Sequence, residues 1–369
     1  MRAARSPQPV PAPHTVLVVD DSAFMRRVVA EMVGECAGFR VVGTARDGEE
    51  AVRLVHALQP VVVTLDVAMP GLDGLQVLGY VMSESPRAVV VLSGLGEDGL
   101  AMRALELGAV DFVPKPSGPI SLDVVAVRER LHDALRAAAA ADVSRLDVVA
   151  RAAAERAPGA PADACAPAER AIVVAASTGG PNALTQLLPR LPRALGAAVL
   201  VAQHMPAGFT ASLARRLAAR CALPVLEAEH DAPVLADHVY VAPGGRHLRV
   251  VRDDAGVARL SLDDGPAVWG VRPCADLLFA SVARAFGDAT LGVVLTGMGR
   301  DGADGLRAVR RAGGRALVQA RETAVVPGMP DAAIARAGAD AVVPLDALAE
   351  AVVAQLAAVH PHDAERARP

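Results

Sequence analysis

The chain has 369 residues, 53% of them hydrophobic and 2% aromatic, with a formal net charge of -4 and a pI near 6.2. That length suits about two domains. An acidic balance with so few rings excludes the basic, stacking surface of a nucleic-acid binder, and no apolar run reaches the ~18 residues of a membrane span.

Residues 1–13 are Pro-rich and basic without an apolar core, so they read as a disordered lead-in and not as a signal peptide. Cys36, Cys165, Cys221 and Cys274 are too scattered for a zinc site and fit reduced thiols in a cytosol. From 14 to 136, short Val/Leu runs alternate with amphipathic stretches of helical length, the pattern of a parallel sheet wrapped by helices. Strands are predicted at 16–19, 40–45, 61–65, 88–92 and 110–113, with helices starting near Ala23, Gly48, Gly74, Gly99 and Ser121. Ligands of such sheets collect at the carboxyl ends of the strands, where Asp20, Asp21, Asp66, Ser93 and Lys115 fall.

Lys115 is the one lysine among 37 basic side chains. A compact ammonium and a planar guanidinium are not interchangeable in a narrow anion pocket, so its retention points to chemistry. Three neighbouring carboxylates repel unless a cation neutralises them; Asp20, Asp21 and Asp66 therefore imply a hard divalent ion, Mg²⁺ above others. Read singly, each Asp is as well explained as a solvated turn or a helix cap.

Beyond Arg136 an Ala-rich helical extension gives way to Ala157-Pro-Gly-Ala-Pro-Ala-Asp-Ala-Cys-Ala-Pro167, and 137–168 reads as a flexible linker with a reach of roughly 30 Å. A second α/β alternation fills 169–358, with strands expected at 171–175, 198–202, 238–241, 290–295 and 315–319 and a β-rich excursion over 247–262; 359–369 reads as a disordered tail. The first of these strands runs into Ala176-Ser-Thr-Gly-Gly-Pro-Asn182, a sharp turn with Ser177 at its tip. The turn is neither a GxSxG elbow nor a P-loop. It can cradle an anion, or present Ser177 as a nucleophile whose oxyanion meets backbone N–H groups. His204 follows a second strand and Asp301 a third, supplying a base and the carboxylate that orients it. His230, His238 and His247 have no equally placed serine.

In Val18-Val-Asp-Asp-Ser22, Leu65-Asp-Val-Ala-Met-Pro-Gly-Leu-Asp-Gly74, Leu92-Ser93 and Asp111-Phe-Val-Pro-Lys-Pro116, the first half resembles the receiver domain of two-component response regulators. The resemblance implies a (βα)5 flavodoxin-like fold, Asp66 as phosphoacceptor, a Mg²⁺ site at Asp20, Asp21 and Asp66, Ser93 and Lys115 as phosphate sensors, and Phe112 as an aromatic switch. Ala68 stands where related proteins often carry a polar side chain.

The second half resembles the chemotaxis protein-glutamate methylesterase family, CheB. The match rests on Ala175-Ala-Ser-Thr-Gly-Gly-Pro181, Gln203-His-Met-Pro-Ala-Gly-Phe-Thr210, Tyr240-Val-Ala-Pro-Gly244, Arg272-Pro-Cys-Ala-Asp-Leu-Leu-Phe279, Leu295-Thr-Gly-Met-Gly-Arg-Asp-Gly-Ala303 and Pro327-Gly-Met-Pro330. Val271 replaces a frequent histidine. This resemblance implies a doubly wound, mainly parallel α/β domain with Ser177 as nucleophile, His204 as base, Asp301 as orienting acid, and Thr178 and Met298 near the oxyanion. Glutamyl methyl esters of chemotaxis receptors would be hydrolysed, and particular receptor glutamines deamidated, with no cofactor for the hydrolysis. The implied partners are those receptors and a chemotaxis histidine kinase as phosphodonor; charge, aromatic content and cysteine spacing point to a cytoplasmic protein without nucleic-acid binding or membrane insertion, and its oligomeric state is open, with monomer the default. Two readings compete with this one: a phosphorylation-switched anion-binding module and a phospho-controlled transcription factor.

Overall fold

A computed structural model of the chain describes residues 12–94, 97–115, 123–143 and 166–358. Most of the expected lead-in, the centre of the expected linker and the expected tail lie outside them, as do Cys165 and the predicted helix start at Ser121. Backbone contacts divide the chain into two compact units at Ala140.

In the first unit β1 (His14–Val19), β2 (Phe39–Ala45), β3 (Val62–Asp66), β4 (Ala88–Ser93) and β5 (Asp111–Pro114) form a parallel sheet in the order β2-β1-β3-β4-β5. That is the flavodoxin-like order, which puts a switch point between β1 and β3. The helices are α1 (Ala23–Glu35), α2 (Gly48–Leu58), α3 (Gly74–Glu84), α4 (Asp98–Glu106) and α5 (Asp123–Ala140). Their starts are written locally. Ser22 accepts the Met25 N–H, Asp47 accepts the Glu50 N–H, and Asp73 forms a reciprocal capping box with Gln76. Helix α5 continues to Ala140, four residues past the predicted boundary at Arg136, because its Ala-rich end is a strong helix former.

The second unit has a seven-stranded, wholly parallel sheet in the order β14-β13-β12-β6-β7-β9-β8. Its strands are β6 (Ala171–Ala176), β7 (Ala198–Gln203), β8 (Val225–Glu227), β9 (Val239–Val241), β12 (Thr290–Val294), β13 (Arg315–Gln319) and β14 (Ala341–Val343). β10 (His247–Arg252) and β11 (Ala258–Asp263) make an antiparallel hairpin, the expected β-rich excursion. Helices α6 (Gly180–Leu187), α7 (Phe209–Ala218), α8 (Ala275–Phe286), α9 (Ala303–Arg311), α10 (Gly328–Ala337) and α11 (Leu348–Ala357) complete it. β6 and β7 are buried along their whole length, as strands covered on both faces must be, and read as unbroken apolar runs for that reason. The chain leaves β6 for β7 on one side and returns to β12 on the other, so the carboxyl end of β6 is the switch point of this sheet.

Candidate active site

Ser177, His204 and Asp301 follow β6, β7 and β12, three adjacent strands, so the sheet order brings them to one edge. Cross-loop hydrogen bonds hold these three loops, and the loop after β13, in register. The Ser177 N–H donates to Thr296 O at 3.0 Å, the His204 N–H to Ala176 O at 3.0 Å, and the Gly297 N–H to Val326 O at 2.9 Å. Gln203 Nε2 adds two more, to the carbonyls of Ser177 at 2.9 Å and His204 at 3.1 Å, and so ties the nucleophile loop to the base loop. The turn after Ser177 depends on missing side chains. Gly179 has a φ of 77°, and a Cβ on Gly180 would stand 2.1 Å from Gln203 Oε1.

His204 turns Nε2 to Asp301 Oδ2 at 2.8 Å with its side chain 8% exposed. Among the described residues Nδ1 carries no hydrogen bond. A carboxylate accepts, so Nε2 holds the proton and Nδ1 keeps the lone pair a general base needs. Asp301 is itself tightly held. Oδ2 also accepts the Ala275 N–H at 2.6 Å, and Oδ1 accepts the N–H groups of Asp276 and Gly302, both at 2.9 Å, and the Cys274 thiol at 3.1 Å. Burial works to raise its pKa. The His204 hydrogen bond and charge, with the Asp276 and Ala275 amides, outweigh burial and leave it below the usual carboxylate range. Burial pushes the Cys274 thiol up, so it remains a protonated donor, and burial likewise raises the neighbouring Asp276.

Ser177 is partly exposed, and its hydroxyl makes no hydrogen bond among the described residues. Its own N–H is committed to Thr296 and cannot meet an oxyanion. The Met298 N–H has no such commitment among the described residues, and Met298 sits in the loop that crosses Ser177. Thr178 is buried, with its carbonyl accepting from Thr296 Oγ1 at 3.0 Å. A nucleophile, a neutral imidazole with an aligned carboxylate and a free backbone donor can perform acyl transfer.

Sequence reasoning took Ser177, His204 and Asp301 to one sheet edge, where they lie. It gave no role to Gln203, Cys274 or Asp276. A polar residue ending a fully buried strand is the sequence signal for Gln203; nothing in residue type or spacing marks Cys274 and Asp276. His230, His238 and His247 serve the fold instead: His238 Nδ1 meets Ala236 O, His230 Nδ1 accepts the Leu262 N–H, and buried His247 bonds Pro266 O and the Cys274 N–H.

In the first unit Asp20, Asp21 and Asp66 bring carboxylate oxygens within 4.8 Å of one another. Lys115 Nζ lies 2.7 Å from Asp66 Oδ2 and 2.9 Å from Asp20 Oδ2 and so bridges the two carboxylates. Burial raises the Asp66 pKa against the pull of Lys115; burial lowers that of Lys115, but the two carboxylates, Asp66 first, raise it overall. Three hard oxygen donors this close together, two of them buried, fit a divalent cation such as Mg²⁺. Ser93 is fully buried at the end of β4, its carbonyl accepts the Lys115 N–H at 2.7 Å, and Phe112 is buried with 1% exposure.

Residues 172–352 match the family model for CheB methylesterase, and residues 16–127 that for the response regulator receiver domain. A protein-glutamate methylesterase/protein-glutamine glutaminase from Symbiobacterium thermophilum is 45% identical over 359 residues, covering 93% of this chain and 97% of the relative. A protein of the same name from Geobacillus kaustophilus is 44% identical over 341 residues, covering 92% and 97%. The crystal structure of the Thermotoga maritima CheB methylesterase catalytic domain aligns with 38% identity and a TM-score of 0.49, covering 50% of this chain and 97% of that one.

Proposed function

The chain belongs to the CheB methylesterase family, with a response-regulator receiver domain ahead of the esterase domain, and from that premise we infer that it is a phosphorylation-activated protein-glutamate methylesterase of chemotaxis that also has protein-glutamine glutaminase activity. The observation that carries the mechanism is the His204–Asp301 contact of 2.8 Å on the strand edge that also bears Ser177. In this reading 14–136 is the receiver and 169–358 the esterase.

Ser177 Oγ attacks the γ-carbonyl of a glutamyl methyl ester while its proton passes to His204 Nδ1. The Met298 N–H and the Thr178 segment face the oxyanion, and one such donor is worth ~2.7–4 kcal/mol. The C–OCH₃ bond breaks, His204 returns the proton to the leaving oxygen, and methanol departs. Water then attacks the acyl-serine, giving a proton to His204, which passes it to Ser177 Oγ as the acyl C–O bond breaks, and the glutamic acid released ionises to the carboxylate. A glutamine would follow the same course, with ammonia leaving. Asp301 keeps the imidazole in the required tautomer and stabilises its protonated form.

Asp66 is the phosphoacceptor of this reading, with Asp20, Asp21 and Asp66 holding Mg²⁺, and Lys115, Ser93 and Phe112 sensing the phosphoryl group. Bound there, Mg²⁺ supplies positive charge that offsets the carboxylates and an incoming phosphoryl oxygen. The substrates are methyl-accepting chemotaxis receptors, the phosphodonor is a chemotaxis histidine kinase, and the place of work is the cytoplasm. No helix among the described residues is long and apolar enough to cross a membrane. The test is Ser177→Ala in the full-length protein with methylated receptor and a small phosphodonor. Methanol release should vanish while the unfolding temperature holds; retained turnover refutes Ser177 as nucleophile.

A further inference from the structure

Trp269 is the one tryptophan of the chain. Val268 and Val271 exchange both backbone hydrogen bonds, at 3.2 and 3.0 Å, and close a tight turn around Trp269 and Gly270. Both central residues have positive φ, 56° and 78°, as in a type I′ turn. Glycine suits such a position. A bulky aromatic there is strained, and strain of this kind persists where the surroundings fix it and a site makes use of it.

The surroundings do fix it. The indole Nε1–H donates to Asp276 Oδ2 at 2.9 Å, Asp276 Oδ1 accepts the Gly305 N–H at 2.6 Å, and the Asp276 N–H donates to Asp301 Oδ1 at 2.9 Å. Trp269 is thus two residues removed from His204 through a continuous set of hydrogen bonds, yet half of its surface stays exposed. Over the ring lies the Arg300 guanidinium, 3.8 Å from its centroid. The stack covers the flat face of the guanidinium and limits the freedom of a long side chain. Among the described residues the Arg300 guanidinium has no hydrogen-bond or ion-pair partner, and Arg300 is exposed. It directly precedes Asp301 and stands two residues after Met298.

We propose that Arg300, held flat by Trp269, is a specificity residue that binds a free carboxylate of the substrate beside the scissile glutamyl ester. A guanidinium edge presents paired N–H donors that match a carboxylate. The need is electrostatic as well, since a protein of net charge -4 repels an acidic substrate unless a local cation offsets it. On a helical substrate, side chains three or four positions from the ester lie about 5–6 Å from it on the same face, so an acidic neighbour is carried to the site together with the ester. Each hydrolysis creates a carboxylate, so a substrate already cleaved at one position becomes a better ligand at the next. The proposal rests on the esterase reading above.

The experiment uses full-length protein, a small phosphodonor and two helical peptides carrying a glutamyl methyl ester, one with glutamates and one with serines three and four positions away. For the wild type, KM should be about tenfold lower on the glutamate peptide, with kcat similar and the difference shrinking as salt rises. Arg300→Gln should bring the two KM values together and leave kcat on the serine peptide in place, Trp269→Ala should narrow the KM ratio, and Arg300→Lys should restore part of the preference. Equal KM values for the wild type on both peptides, or an Arg300→Gln variant that keeps the wild-type ratio or loses kcat equally on both, overturn the proposal. Absence of methanol release by the wild type from both peptides overturns the esterase reading and this proposal with it.

Discussion

Replacing Asp301 by Asn changes one atom and leaves no satisfactory arrangement. If the amide nitrogen takes the Oδ1 place it confronts the N–H groups of Asp276 and Gly302 and the Cys274 thiol; in the Oδ2 place it confronts the Ala275 N–H and His204 Nε2. The second has fewer conflicts, and His204 can relieve one by moving its proton to Nδ1. One buried N–H, that of Ala275, is then left without a partner, at a cost of about 1–3 kcal/mol. For a domain of this size that corresponds to a fall of about 2–12 °C in Tm. The tautomer that relieves the conflict is the one in which Nδ1 can no longer take a proton from Ser177, and such a change lowers kcat about 10⁴-fold in a serine hydrolase triad. Acidification adds a signature. Because the Asp301 pKa is depressed on folding, its stabilisation is present above the unfolded carboxyl value, near ~3.9, and is lost as pH falls through the lower folded value. Calorimetry of wild type and Asp301→Asn between neutral pH and about pH 3 should therefore show the Tm gap closing towards acid. A variant with wild-type Tm and turnover within about tenfold of wild type would refute the assigned tautomer.

Gly297→Ala tests the same site sterically, since its Cβ would stand 2.3 Å from Met329 Sδ and 2.7 Å from Ser177 Cβ. The flexible sulfur can yield by a rotamer change, but the clash with Ser177 is relieved only by a shift of its backbone, so stability should fall about 1–3 kcal/mol while displacement of Ser177 costs about 10²-fold in kcat; calorimetry and methanol release measure the two, and unchanged kcat would contradict the packing. Lys115→Arg should leave Asp66 phosphorylation in place and reduce the ratio of stimulated to unstimulated esterase activity about tenfold, because a planar fork cannot bridge Asp20 and Asp66 as the ammonium does. An undiminished ratio would remove Lys115 from the switch.

The helix starts were legible because Ser22, Asp47 and Asp73 announce them in one turn of sequence, and the long buried strands because β6 and β7 are unbroken apolar runs. The edge strands β8 and β14 were missed. At three residues each they are too short to display a period, and their pairing is decided by neighbours far along the chain. The strand-end rule gathered Ser177, His204 and Asp301, since that rule needs only the strand order. It says nothing of what supports them. Of the five donors around Asp301 three are backbone N–H groups, two at the start of α8 and one from Gly302, and backbone donors leave no mark in residue types. The Trp269 turn was hidden for a related reason, because Val-Trp-Gly-Val carries no turn signal at its second position and becomes one only when Asp276 and Arg300 hold the indole.

The clamped ammonium between Asp20 and Asp66 has one further consequence, for anyone handling the protein. With a single lysine, the chain offers amine-directed reagents one side-chain target, and that target is 19% exposed and engaged by two carboxylates. Its acylation rate is therefore a built-in reporter, readable by intact mass without mutation or tag, of whether the acidic pocket is holding its own lysine or has released it to something else.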